Sequence, residues 1–152
     1  MKKVKFGLLG LVILLILIQF IPVDMAKPSI DATLAIDAPP EVKQILENSC
    51  YDCHSYQTKW PIYSRIAPVS WLVASDVEEG RHKLNFSEWL SFSDQKKAKL
   101  KEEIIDEIEG NDMPLPIYLI MHSEAKLGDS QKQTIKNWAT TNIEPEPESE
   151  TD

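Results

Sequence analysis

Hydrophobic and polar positions divide the chain into one unbroken apolar stretch near its start and several later segments with helical spacing. Residues 6–23 read FGLLGLVILLILIQFIPV, with Gln19 as the strongly polar residue. The run has no amphipathic period, and its length approaches the roughly 20 residues that a helix needs to cross a bilayer core. Lys2, Lys3 and Lys5 precede it. Basic residues of this kind stay on the cytoplasmic side, so the pattern predicts a helix that sends the rest of the chain across the membrane.

A cleaved signal peptide also begins with basic residues and an apolar run, but its apolar core is shorter and ends at a small-x-small cleavage site. Residues 23–27, VDMAK, offer no convincing site of this kind. We therefore predict that residues 1–23 form a single-pass anchor in the inner membrane, with the following domain in the periplasm. A secreted periplasmic form is the alternative, if the segment is cleaved.

The remaining pattern is helical and contains few strand signals. Apolar residues recur at helical spacing in four segments. These are a short helix from Glu41 that runs into the cysteines, a helix at 70–79 ended by Gly80, a helix at 95–109 ended by Gly110, and a last helix through Ile135, Trp138 and Ala139. Ser93 or Asp94 is expected to cap the third helix, and Asp129 or Ser130 the fourth. The pattern predicts an all-α fold.

Composition sets the limits of the folded domain. Residues 24–40 are mixed polar with three prolines, which is typical of a linker. Residues 143–152 contain five acidic residues and two prolines, and predict a disordered acidic tail. The folded domain is therefore predicted at residues 41–142.

The charge of the chain narrows the range of partners. It carries 16 basic and 24 acidic residues, a net charge of −8. Without the three lysines before the apolar run, 13 basic and 24 acidic residues remain, a net charge of −11. Such an acidic domain is a poor ligand for nucleic acid, and it suits protein partners with basic patches.

Both cysteines of the chain lie in one string, Cys50-Tyr51-Asp52-Cys53-His54. The C-x-x-C-H spacing is the attachment signature of c-type haem. Thiols at i and i+3 share one side of a helical turn, so both can bond the edge of one porphyrin, and the next imidazole can bind the iron. We predict that Cys50 and Cys53 hold one haem c per chain, with His54 as the proximal iron ligand.

Three other uses of the two cysteines compete with haem. A thioredoxin-like pair needs a βαβ context that this sequence lacks. A structural zinc site needs four ligands, for which His82 or His122 would have to complete the set. The neighbouring Cys53 and His54 point about 100° apart on a helix, which is awkward for one tetrahedral ion. A plain disulfide between Cys50 and Cys53 stays open, because an exported domain permits it.

The second axial position of the iron calls for a methionine or a histidine. Met113 follows a predicted helix end in a loop stiffened by prolines, which can present a thioether in a fixed geometry. Met121 lies in an apolar run and is predicted to be a core residue. His82 and His122 are predicted to be surface or capping residues. We therefore predict that Met113 is the distal ligand. The alternative is that Met113 has only a structural role and that His82 or His122 binds the iron in its place.

A haem also needs partners for its propionates. Arg65 can pair with a propionate, and Trp60 and Tyr63 can donate hydrogen bonds to one. The alternative is that these side chains have ordinary structural roles. Trp71 and Trp89 are predicted to be core aromatics.

The cysteine motif stands within a longer set of characteristic strings. They are CYDCHS at 50–55, WP at 60–61, YSRIAPVSWLV at 63–73, LNFSEW at 84–89 and MPLP at 113–116. As a set they resemble the bacterial haem-binding domain family with a C-x-x-C-H motif, over about residues 41–140. The resemblance implies a small c-type-cytochrome-like protein, often anchored by an N-terminal helix. Its haem would be bound by Cys50 and Cys53 and its iron by His54, and the Met113 loop is similar to the distal-ligand loop of class I cytochromes c.

The sequence thus predicts a small cytochrome c-like helical domain behind an N-terminal transmembrane helix. We expect the protein to exchange single electrons with redox partner proteins in the periplasm or inner membrane. We expect an electron carrier and not an enzyme, because His54 and Met113 would leave the iron no open position. If Met113 does not bind, a five-coordinate haem peroxidase or a gas or redox sensor is the alternative. Arg81 and His82 are then loose candidates for the polarising and basic groups of a peroxidase.

Overall fold

A computed structural model describes residues 2–26, 28–29 and 31–141 of the chain. These residues form seven α-helices and no strand, which confirms the all-α prediction. The helices are α1 Lys2–Leu17, α2 Pro40–Ser49, α3 Tyr51–His54, α4 Val69–Lys83, α5 Asp94–Gly110, α6 Pro116–Leu119 and α7 Asp129–Thr140. Four 3-10 helices lie between them, at Ile18–Phe20, Ile62–Arg65, Phe86–Ser91 and Ser123–Ala125. The predicted acidic tail at 143–152 lies outside the described residues.

Helix α1 and the 3-10 helix that continues it take up most of the apolar run. The stretch Lys3–Phe20 is long and apolar enough to cross a membrane, and none of it is buried inside the protein. A signal sequence near the N-terminus can also meet these criteria of length and composition. The finding therefore supports a membrane-directed helix, and its retention in the mature protein stays a prediction.

The chain divides into two compact units. The first contains Met1–Ile30 and Asp52–Asn85, and the second contains Asp31–Tyr51 and Phe86–Asp152. The chain therefore passes from the second unit to the first within α3, in the middle of the C-x-x-C-H string.

The core of the second unit forms where α7 packs against α2 and α5. The apolar residues of α5 recur at helical spacing and face this core. Leu100, Ile104 and Ile108 are buried, and Ile105 is half-buried. Leu46 of α2 and Ile135 of α7 are fully buried, with 0% of each exposed. Helical spacing of apolar residues alone was thus sufficient to identify the buried faces of these helices.

Aromatic side chains extend this core. The rings of Tyr51 and Phe86 stack with their centroids 5.6 Å apart, and Trp89 lies 6.2 Å from Phe86 and 6.1 Å from Trp138. Trp89 is buried, as predicted. The segment before α2 also contributes, because Ile36 is buried and its N–H donates to the Phe86 carbonyl at 2.8 Å.

Two helix ends in the second unit differ by one residue from the sequence prediction. Ser93 caps α5 as expected, since its hydroxyl accepts a hydrogen bond from the Lys96 N–H. At the other end Gly110 is still helical, and Asn111 adopts the left-handed conformation with φ 61°. Asparagine tolerates this conformation better than other residues with a side chain, so it can end a helix as glycine does. Helix α7 begins after Gly128, whose N–H donates to the Gln131 side chain at 2.9 Å.

The first unit is built on α4, against which the 3-10 helix Ile62–Arg65 packs. The prediction that Gly80 ends this helix is wrong, because α4 continues to Lys83 and Gly80 is buried within it. The prediction of a core role for Trp71 is also wrong, since 36% of this residue is exposed. It lies in the first turn of α4, where only Ser70 is buried.

Met121 is a further difference from the sequence prediction. The apolar run that contains it forms the single turn of α6 followed by a bend, and 65% of Met121 is exposed. A one-turn helix buries little of its surface, so apolar composition was a poor guide to burial here. His82 is exposed near the end of α4, as predicted.

Truncation of a fully buried side chain in α2 tests this description of the second unit. We expect Leu46→Ala to lower the free energy of unfolding by about 2–5 kcal/mol, because a cavity is left in a closely packed core. Glu47→Ala, at the exposed neighbouring position, is the matched control and should change it by less than about 0.5 kcal/mol. Urea unfolding of both variants is the measurement, and equal effects would contradict the assignment of the core.

Candidate functional site

The C-x-x-C-H string begins where α2 ends. Cys50 caps α2, and its N–H donates to the Leu46 carbonyl at 2.8 Å. Its φ of −126° ends the regular helix, and the short helix α3 then carries Cys53 and His54. Both cysteines are thiols and both are half-buried. The amphipathic face of α2 thus places the start of the motif on a packed element of the second unit.

Cys53 lies against the bare backbone of α4 in the first unit. A Cβ atom placed on Gly80 would come within 2.8 Å of the Cys53 carbonyl oxygen and 3.1 Å of the Cys53 Cβ atom. Only glycine permits this close approach between the motif and the helix. The sequence prediction read Gly80 as a helix terminator, because a contact between residues 27 positions apart leaves no local signal.

His54 is oriented by the last carbonyl groups of α4. Its Nδ1 atom lies 3.0 Å from the Gly80 carbonyl oxygen and 3.1 Å from the Leu84 carbonyl oxygen. Carbonyl oxygens only accept hydrogen bonds, so Nδ1 must carry the hydrogen. In the neutral ring the lone pair is then on Nε2, which is the atom suited to bind a metal.

The same two contacts affect the strength of His54 as a ligand. The C-terminal end of a helix carries a partial negative charge on its last carbonyl groups. A hydrogen bond from the outer nitrogen of an imidazole to such an acceptor fixes the ring and makes the inner nitrogen a better electron donor. The end of α4 therefore positions His54 and raises its basicity as a ligand.

Burial raises the pKa of the Cys53 thiol to about 11, with a smaller contribution from the carboxylates of Asp52 and Asp76. Redox-active cysteines of the thioredoxin type have a lowered pKa, because the thiolate is the reactive form. Cys53 is therefore a protonated thiol at neutral pH. Cys53 is therefore not a thiolate nucleophile in its own right.

Arg81 holds the loop that follows the motif. Its guanidinium donates to the Ser55 carbonyl and to the Thr58 hydroxyl, both at 2.9 Å, and lies 5.4 Å from the centre of the Tyr56 ring. Burial lowers the pKa of Arg81, although a guanidinium stays charged at neutral pH. The sequence prediction offered Arg81 as a loose candidate for a catalytic group. The structure instead gives it a structural role in the first unit.

Trp60 is a half-buried residue whose indole N–H has an unusual environment. Its indole Nε1 is buried and has no hydrogen-bond partner among the described residues. A buried donor without an acceptor costs roughly 1–3 kcal/mol, so such groups are rare in native proteins. Of the other two predicted propionate partners, Tyr63 is half-buried and Arg65 is exposed at the end of its 3-10 helix.

These features of the first unit fit a haem. The Nδ1–H tautomer of His54 suits an iron ligand, and the buried indole N–H of Trp60 suits a carboxylate acceptor such as a haem propionate. A zinc site has less support. Within neither unit do three side chains of the His, Cys, Asp or Glu type gather as a metal site among the described residues.

Met113 lies in the second unit, just after α5. Its N–H and that of Asp112 both donate to the Glu107 carbonyl, at 3.2 and 3.0 Å, and this ties the Met-Pro loop to the last turn of the helix. The Met113 side chain is half-buried. In the same unit His122 stacks on Tyr118 with ring centroids 4.3 Å apart and contacts the Glu124 carboxylate at 3.2 Å. The ligand role of Met113 stays a prediction, because His54 belongs to the other unit.

Comparison with known families agrees with this chemistry. The model of the haem-binding domain family matches residues 13–141, which is most of the chain. The chain belongs to this haem-binding family. No curated protein and no solved structure matches it. Membership of this family shows that the chain binds haem.

The contact between Gly80 and Cys53 gives a direct test of the site. Alanine normally favours a helix over glycine by about 1 kcal/mol, so Gly80→Ala would stabilise α4 if the residue were only a helix position. We expect the opposite, a loss of about 1–3 kcal/mol, because the new Cβ collides with the Cys53 backbone.

Glu79→Ala, at the exposed neighbouring position, is the control for general effects in this turn. Thermal unfolding of the haem-loaded protein is the measurement. A Gly80→Ala variant more stable than the unmutated protein would contradict the described packing of the motif on α4.

Proposed function

We propose that this haem-binding protein is a membrane-tethered monohaem c-type cytochrome that transfers single electrons in the periplasm. The observation that carries the proposal is the pair of hydrogen bonds from His54 Nδ1 to the carbonyl groups of Gly80 and Leu84. They orient an imidazole directly after a C-x-x-C pair, in the tautomer that binds iron.

In this proposal each residue of the motif has a separate task. The Cys50 and Cys53 thiols would hold the haem covalently, each adding its S–H across one vinyl group, an addition that needs no oxidant. His54 would bind the iron through Nε2, and the indole N–H of Trp60 would donate to a propionate. When bound, haem supplies an iron that gains and loses one electron.

Electron transfer is favoured over catalysis by the positions of the polar groups. A haem peroxidase needs a distal base and a polarising cation beside the iron. Arg81 is held by the loop at Ser55 and Thr58, and His82 is exposed on α4. Met113, in a loop fixed to the end of α5, is the proposed second ligand. The five-coordinate peroxidase or sensor is therefore the weaker candidate.

The N-terminal segment supports the proposed membrane tethering and location. Lys3–Phe20 has the length and composition of a membrane span, and basic residues stand at its start. By the positive-inside rule the chain that follows this helix is then on the periplasmic side of the inner membrane. Redox partners would meet it there through surfaces complementary to its acidic charge.

Ferric absorption spectra of the haem-loaded protein test the proposed ligand pair. A low-spin spectrum with the weak long-wavelength band of a methionine-to-iron bond is expected. Met113→Ala should abolish this band, because it removes the sulfur. Met121→Ala, which alters the exposed methionine of the same unit, should retain it.

Two results would contradict the assignment. A high-spin ferric spectrum of the unmutated protein would favour the five-coordinate alternative. Loss of the band in Met121→Ala, with retention in Met113→Ala, would show that Met121 and not Met113 is the sulfur ligand.

A further inference from the structure

The N-terminal helix is tied to the first unit by a reciprocal pair of hydrogen bonds. The Gln19 side chain donates to the Ala67 carbonyl at 3.1 Å and accepts from the Ala67 N–H at 2.9 Å. Gln19 is the second-last residue of Lys3–Phe20, the stretch that can cross a membrane. If that stretch spans a bilayer, Ala67 lies at the level where the helix leaves the hydrocarbon core.

The side chains around Ala67 are unusually apolar for a protein surface. The exposed large hydrophobic residues of Asp52–Asn85 all fall between positions 62 and 72, with exposed fractions from 36% to 82%. This 62–72 patch consists of Ile62, Ile66, Val69, Trp71 and Leu72. They come from the 3-10 helix, the turn after it and the first turn of α4, which pack together. Exposed apolar residues gathered on neighbouring, packed segments mark an interaction surface.

Charge indicates which kind of partner suits the patch. The chain has 24 acidic residues, yet residues 53–75 contain none, and they include Lys59 and Arg65. An apolar surface with basic residues and an exposed tryptophan matches the interface of a bilayer with anionic lipids. The acidic remainder of the chain would be repelled from the same lipids.

We propose that the 62–72 patch rests on the periplasmic surface of the inner membrane, beside the point where the N-terminal helix leaves the bilayer. The proposal rests on the membrane anchoring proposed above and goes beyond it, because a tether alone requires no contact between the folded unit and lipid. The patch lies at the start of α4, whereas the carbonyl groups that orient His54 lie at its end. Lipid contact at one end of α4 would therefore hold the haem motif away from the bilayer at a defined height.

Site-specific photo-crosslinking of the full-length, haem-loaded chain in native membranes tests this proposal. A benzophenone amino acid replaces Ile62 or Leu72 in the patch, Leu11 in the apolar helix, or Glu79 at the far end of α4. After irradiation, mass spectrometry identifies what each position has captured. We expect phospholipid adducts at positions 11, 62 and 72, with at least a tenfold lower yield at position 79.

The possible failures are distinguishable. Lipid adducts at position 11 but not at 62 and 72 would overturn the patch proposal and leave the anchor intact. Capture of a second copy of the chain or of another protein at 62 and 72, in place of lipid, would assign the patch to a protein partner and also overturn it. Absence of lipid adducts at position 11 would contradict the anchor itself, and the patch proposal with it.

Discussion

The site depends on two hydrogen bonds between the His54 imidazole and the carbonyl groups of Gly80 and Leu84. A histidine after two cysteines could face many directions, because the motif occupies a helix of only four residues. The end of α4 removes that freedom. It also supplies the partial negative charge that makes imidazole a stronger electron donor. This constraint requires the chain to continue in a helix past Gly80, so that the Gly80 and Leu84 carbonyl groups both reach His54.

The neighbouring residues of α4 support the same arrangement. Gly80 lets the helix backbone come against Cys53, and Arg81 fixes the loop after His54 through Ser55 and Thr58. Cys53, His54 and the loop that follows them are thus all held by residues 80–84, at the end of α4. Preorganisation of this kind fixes the imidazole in the orientation and tautomer that suit a metal ligand.

Much of the fold was predictable from the sequence because it depends on local patterns. Helical spacing located the buried faces of α2, α5 and α7, and Ser93 was recognisable as a cap. The haem motif was recognisable because its chemistry needs fixed spacing within five residues. The roles of Gly80 and Arg81 were not predictable, since their contacts lie more than 20 residues away along the chain. The exposure of Trp71 and Met121 was not predictable, because apolar composition alone does not determine which residues are buried.

The central claim is that the two cysteines hold one haem covalently, with His54 as its ligand. The most direct measurement is the intact mass of the full chain, produced in cells able to attach haem and analysed after complete unfolding. We expect the mass of the polypeptide plus one haem, because a covalently bound haem is retained when the native fold is lost. The mass of the bare polypeptide, or that mass less two hydrogens for a Cys50–Cys53 disulfide, would contradict it.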